Sequence, residues 1–254
     1  PEVVDRITKE VYAPVLEVLA KHPGVAVNLH VSGPLLEAWV EKHPDLLQKL
    51  KELVGTGRVE MLSGGFYEPV LVEWSEEDRD GQLGKMNGWL KERFGVTPQG
   101  VWLAEGVWGP SLCHAFGRAG FQYTIVEGSF FQQAGITPAK MNGHYVTDQA
   151  GSMLSVFPTC PELAKLVPHA PLDELFGYLR RMANRGEDIT LTLAGNLENW
   201  SQAPGGVAGY LGSLFARLQE SSNWVNTLTG RAQLERQSPR GRVALPPGTP
   251  AELG

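Results

Sequence analysis

The sequence predicts an α/β protein whose strands run parallel and whose chemistry gathers at one end of the sheet. Three observations carry this. Short apolar segments alternate with helical patterns along the whole chain, as in folds built from strand–helix–strand units. The apolar segments are continuous runs, as strands covered on both faces are. Several of them end in an acid or a histidine, at the strand-to-loop junction where a parallel barrel presents its catalytic groups. The clearest case is the stretch 100–112, where Val101, Trp102 and Leu103 run straight into Glu105 and Pro110 opens the next helical pattern.

Residues 3–20 space Val4, Ile7, Val11, Val15, Leu16 and Leu19 at helical intervals, and Pro23-Gly24 stops the pattern. Residues 25–30 form a short buried strand ending in His30. A second amphipathic helix covers 35–54, closed by Gly55-Thr56-Gly57. The strand 58–62 runs into Gly64-Gly65, which place Tyr67 and Glu68 at its end. Ser75 followed by Glu76, Glu77 and Asp78 is an N-terminal cap for a helix reaching Phe94. After the strand at 101–103 come a helix over 111–119 and a strand over 121–126 that ends in Glu127. Residues 128–153 lack a clear period and read as a long loop or a small hairpin. A strand at 154–157, a helix at 172–184 and a β-branched strand at 189–194 follow. The exit loop 195–204 holds Asn196, Glu198 and Trp200. A helix over 207–219 and a weak strand at 224–229 follow, and the tail from Arg242 starts strand-like and then loses its periodicity.

A barrel and an open doubly wound sheet both satisfy this order, with right-handed crossovers. The glycines after the strand 58–62 lack G-x-G-x-x-G spacing, which argues against dinucleotide binding. No repeat, low-complexity tract or linker divides the 254 residues, so one domain over 1–254 is the economical reading. A composition of 42% hydrophobic and 20% charged residues is that of an ordinary water-soluble protein. A formal charge of −6 without any basic cluster argues against a nucleic-acid or membrane surface. The two cysteines, Cys113 and Cys160, make no metal or disulfide spacing and suit a reducing, cytoplasmic setting. The sequence is silent on oligomeric state.

With parallel strands, His30, Tyr67, Glu68, Glu105, Trp108, Glu127, Asn196, Glu198 and Trp200 share one rim. Carboxylates interleaved with aromatic rings suit a neutral polyhydroxylated ligand, the rings stacking on sugar faces and the acids taking hydroxyl hydrogen bonds. Two such carboxyls could also serve as nucleophile and acid in glycosidic cleavage. Taken singly, each aromatic reads better as core and each acid as a solvated side chain; it is their recurrence at four strand ends that favours a site.

These residues carry a family resemblance. Leu29-His-Val-Ser-Gly-Pro-Leu-Leu36, Gly64-Gly-Phe-Tyr-Glu-Pro-Val-Leu71 and the stretch from Val101 to Leu112 are similar, in order and spacing, to successive blocks of glycoside hydrolase family 57. Val156-Phe-Pro158, Leu166-Val-Pro168 and Pro239-Arg-Gly-Arg-Val243 extend the match. That family includes 4-α-glucanotransferases, α-amylase-like enzymes, amylopullulanases and branching enzymes. The resemblance implies a (β/α)7 barrel and a retaining mechanism on α-1,4-glucans or maltooligosaccharides, without cofactor or metal. It implies Glu105 as nucleophile, with Glu68 and His30 lining the sugar site.

The departures fall on the rim. The family's acid/base aspartate, in an Asp-Gly-Glu-Lys-Phe-Gly block, corresponds here to Asn196. Gly106 and Gly109 replace an arginine and a glutamate beside the nucleophile. Glu127-Gly128-Ser129-Phe130 replaces Asp-Asp-Tyr-His, and Cys160 and Ala164 replace a polar pair. The family's N-terminal His-Gln-Pro strand has no counterpart. The expectation is therefore a single barrel domain truncated at both ends, with impaired or lost catalysis. A glucan-binding remnant is the alternative. A metal-dependent sugar deacetylase is weaker still, because the six histidines show no i, i+4 pair.

Overall fold

Pro14 shapes the first helix. Proline inside a helix has no N–H to give and crowds the carbonyl four residues back. The chain absorbs it by widening: α1 (Glu2–Ile7) and α2 (Ala13–Lys21) are joined by a π-helical segment, Thr8–Tyr12. The structure, a computed structural model, describes residues 2–200 and 203–250. The expected apolar stripe packs only from Thr8 onward: Val15, Leu16 and Leu19 are buried, whereas Val3 and Val4 face solvent.

Strand β1 (Val27–Leu29) follows. The single helix expected over 35–54 is instead two, α3 (Gly33–Lys42) and α4 (Pro44–Gly55). Pro44 is the cause. The residue before a proline is driven from the α region, and His43 sits at φ −136°, ψ 51°. After β2 (Val59–Met61), α5 (Glu76–Phe94) starts where Ser75 Oγ accepts from the Asp78 N–H at 3.2 Å and ends at Gly95, φ 70°. Strand β3 is only Gly100–Val101, shorter than the apolar run suggests. Helix α6 (Leu112–Arg118) and β4 (Tyr123–Val126) match expectation.

The 128–153 region contains α7 (Gly128–Gln133) and the opening of a hairpin, β5 (Tyr145–Gln149) with β6 (Ser152–Pro158). Its two turn residues, Ala150 and Gly151, lie at φ 49° and 81°, the double positive φ that a tight hairpin turn requires. Helices α8 (Pro161–Leu166), α9 (Leu172–Ala183) and α10 (Gly206–Glu220) follow. The exit loop expected over 195–204 is described except at 201 and 202.

Two late strands differ from expectation. Within 189–194 only Thr192 pairs, in a parallel bridge to Thr159. At 224–229 no strand forms; Thr227 Oγ1 instead accepts from the Ala26 N–H at 2.7 Å, and α11 (Gly230–Arg236) follows. The tail after it is ordered by main-chain pairing: Val146 with Gly241 and Val243, and Trp108 with Gly248 at 2.9–3.0 Å.

Strand β1 pairs in parallel with β2, a Ser63–Val101 bridge carries the sheet to β3, and β3, β4 and β6 continue it in parallel. The Thr159–Thr192 bridge adds the 189–194 segment. Among these strands only β5 is antiparallel, against residues 152–156 of β6. All the parallel C-terminal ends therefore lie on one rim. Leu16, Leu36, Trp39, Leu50 and Leu214 fill the layer between sheet and helices, and Leu62, Tyr123 and Phe157 form a smaller inner cluster. The outer edge of β1 and the 189–194 segment both line a cleft of about 950 Å³. Among the described residues no strand pairs with β1 on that side.

Candidate active site on the strand rim

His30 follows β1 and Glu68 lies in the loop after β2. His30 Nε2 and Glu68 Oε1 are 2.7 Å apart, and His30 Nδ1 is 3.2 Å from the Leu62 carbonyl oxygen. Both ring nitrogens thus face oxygen atoms that fix the ring's orientation. Gly64 permits it: a Cβ there would stand 2.6 Å from His30 Cε1.

Glu68 and Glu105 share an unusual backbone. Only three non-glycine residues among those described have positive φ, and two are Glu68 at 55° and Glu105 at 54°. Each conformation costs on the order of 1–3 kcal/mol and concentrates where function requires it. Glu105 sits in the 3₁₀ turn Ala104–Gly106 at the exit of β3, next to β2, with its side chain exposed. Gly106, at φ 67°, packs beneath Pro250, and Gly109 packs against Val72; a Cβ at either would be 2.8 Å from its neighbour.

The other rim residues divide. Trp108 is 1% exposed within the core around Phe116 and Phe130, so it offers no face to a ligand. That corrects its reading as a sugar platform: its ring is enclosed by the apolar cluster that includes Leu103, Leu112 and Phe116. Tyr67 is exposed, its hydroxyl hydrogen-bonded by Lys85, whose ammonium lies 4.3 Å from the ring centroid. Glu127 accepts from Thr159 Oγ1 at 2.9 Å, and Thr159 Oγ1 accepts from the Gly128 N–H at 3.0 Å. Glu127 therefore ties the exit of β4 to that of β6. Asn196 and Glu198 are exposed, and Trp200 is half-buried beside Gly195.

One cleft brings His30, Glu68, Asn196, Glu198 and Trp200 together; Tyr67, Glu105, Trp108 and Glu127 do not line it. Among the residues there that were not anticipated are two aromatic ones, Trp102 and Tyr12. Trp102 reads as strand core, and only its inward register reveals it. Tyr12 carries no signal, because its place depends on the π turn. Burial, and then the Glu198 carboxylate, push the Tyr12 hydroxyl well above the usual phenol range. Among the described residues no three His, Cys, Asp or Glu side chains gather in metal-ligand geometry, and no helix is long and apolar enough to cross a membrane.

Comparison with known proteins agrees with the rim motifs. The family model described as Glycosyl hydrolase family 57 matches residues 2–246. Alpha-amylase 1 of Dictyoglomus thermophilum is 32% identical over 257 residues, covering 99% of this chain and 37% of the relative. The 4-alpha-glucanotransferase of Thermococcus litoralis is 33% identical, covering 92% of this chain and 36% of the relative. Its crystal structure superposes with a TM-score of 0.91 at 31% identity, covering 97% of this chain and 39% of that one. A putative polysaccharide deacetylase from Mycobacterium smegmatis, at 17% identity and a TM-score of 0.62 over 92% of this chain and 80% of that one, shares the fold alone. The chain spans well under half the length of the amylase and glucanotransferase relatives. With the match running through nearly all of its parallel strands, the chain belongs to glycosyl hydrolase family 57.

Proposed function

We propose that the chain carries the α-glucan site of a retaining hydrolase or 4-α-glucanotransferase, with Glu105 as nucleophile and the acid/base position occupied by Asn196. The observation that carries this reading is the pair of glutamates at neighbouring strand exits, Glu68 and Glu105, each held in a left-handed backbone. In a retaining mechanism the nucleophile attacks the anomeric carbon while an acid protonates the departing oxygen. The covalent glycosyl-enzyme is then released to water or to an acceptor sugar, and the two carboxyls stand about 5–5.5 Å apart.

An asparagine amide cannot deliver that proton, and losing a general acid lowers the rate by roughly 10²–10⁴. Glu198, two residues on, accepts a hydrogen bond from Tyr12, which occupies one of its oxygens. Glucan binding with slow or absent turnover is the expected behaviour. A purely glucan-binding protein is the second reading, favoured by Gly106 and Gly109, where side chains expected beside the nucleophile have given way to packing. The barrel itself is proposed to be an incomplete (β/α)7 one, because the outer edge of β1 and the 189–194 segment flank one cleft. The buried free thiols of Cys113 and Cys160 suit a cytoplasmic setting.

The deciding experiment uses 5-fluoro-α-glucosyl fluoride with intact-mass detection and Glu105→Gln as control. Fluoride leaves with little help from an acid, so the test reads the nucleophile alone. A stable adduct on Glu105, absent from the variant, is the expected result. Maltooligosaccharide binding without adduct would leave the binding reading, and neither would overturn both.

A further inference from the structure

Tyr12 reaches the cleft from the N-terminal helix. It closes the π-helical segment Thr8–Tyr12, in which the Ala13 N–H bonds the Thr8 carbonyl five residues back. Such turns are rare and recur at functional sites. This one is held from three directions. Thr8, 1% exposed, accepts from Trp39 Nε1 at 3.0 Å. The Tyr12 ring meets buried Trp39 edge-on, centroids 5.6 Å apart. The Tyr12 hydroxyl donates to Glu198 Oε1, 186 residues along the chain.

An ordinary α-turn would rotate Tyr12 by most of a residue step, so the widened turn aims the hydroxyl at the loop beyond 189–194. Glu198 sits in the 3₁₀ turn Leu197–Trp200, is exposed, and shares the cleft with His30, Glu68 and Asn196. An ionised carboxylate has about four lone-pair sites on two oxygens. Tyr12 occupies one. Holding the carboxylate in place removes, before any ligand arrives, the rotamer freedom that a free glutamate would lose on binding.

We propose that Tyr12 is a positioning residue of the cleft, fixing Glu198 so that its remaining oxygen accepts the hydroxyls of an α-glucan unit. The inference rests on the α-glucan reading above and assigns Glu198 to recognition, not proton transfer. It also gives the π turn a role: the turn brings Tyr12 to Glu198 while leaving Thr8 and Trp39 packed.

The test is maltoheptaose binding by calorimetry to the wild type, Tyr12→Phe, Glu198→Leu and the double variant, with thermal unfolding measured alongside. Tyr12→Phe is expected to weaken binding roughly three- to tenfold, as for one lost hydrogen bond. In the Glu198→Leu background the same change should have no further effect, the non-additivity expected of two residues acting as one unit. Glu198→Gln, whose amide oxygen still accepts from Tyr12, should retain most of the affinity that Glu198→Leu loses. Glu198 is exposed, so this last pair stays informative even where Tyr12→Phe fails to fold. Undiminished binding in Tyr12→Phe, additive losses, or equal losses in the Gln and Leu variants would overturn the positioning role while leaving the α-glucan reading standing. No binding by the wild type would remove both.

Discussion

His30 Nε2 lies 2.7 Å from Glu68 Oε1, joining the exits of two neighbouring parallel strands. The contact exists because Gly64 has no side chain. Gly64→Ala should push its methyl into the imidazole, which is 2.6 Å from the Cβ position, at a cost of about 1–3 kcal/mol for overpacking. Urea unfolding should show that loss, and maltoheptaose binding should fall with it. Unchanged stability would mean that the ring moves aside freely.

Asn196→Asp restores a carboxyl at the proposed acid position. Turnover of maltooligosaccharides should rise by roughly 10²–10⁴, while reaction with an activated glucosyl fluoride should hardly change. A gain on both substrates, or on neither, would place the missing acid elsewhere.

Gly106→Arg reintroduces the residue that the family pattern leads one to expect, and it should not revive the site. At φ 67° any side chain is strained, and a Cβ would stand 2.8 Å from Pro250 Cγ. A loss of about 1–3 kcal/mol is expected. Faster hydrogen exchange at the amides of Trp108 and Gly248, which pair across the tail, should accompany it.

His144 predicts a pH dependence. It is 2% exposed, its ring tilted 38° to that of Phe157 at a centroid distance of 5.3 Å. Burial first, then the Arg240 charge, lower its pKa below the ordinary histidine value of 6.5. The unfolded chain then binds a proton that the folded chain refuses, so the stabilising contribution is full above pH 6.5 and is lost as pH falls toward the folded value. Urea unfolding at pH 7.5 and 5 should show the drop, and His144→Gln should flatten it. An identical slope in the variant would assign the dependence to other groups.

The outer edge of β1 predicts association. Unpaired strand edges template contacts between copies, and here the edge adjoins a cleft containing Leu16, Leu19, Leu191 and Leu214. Sedimentation velocity should show concentration-dependent oligomers. A monodisperse monomer with a sharp thermal transition would show the edge to be protected.

The rim was legible where a strand and its exit are consecutive in sequence. Apolar runs ending in His30, Glu105 and Glu127, and the glycine pair before Glu68, mark junctions by local pattern alone. The Ser75 cap and the Gly95 stop were legible for the same reason, since capping involves neighbours only. The break at His43–Pro44 is also local, but the apolar period continues across it, so periodicity alone reads one helix there. The strand-like start of the tail at Arg242 was legible, but the Trp108–Gly248 pairing further on was not, because main-chain hydrogen bonds leave no trace in side-chain pattern.

The sequence by itself determined the alternation of strands and helices, the parallel sheet and the acids at its exits. Each follows from periodicity and turn chemistry within a dozen residues. Only the tertiary structure decided which of those residues meet. It buried Trp108 and paired its backbone with Gly248, tied Glu127 to Thr159, and set His30 on Glu68 and Tyr12 on Glu198. Partners separated by 32 to 186 residues along the chain are chosen by packing and register, and neither is encoded within a local window.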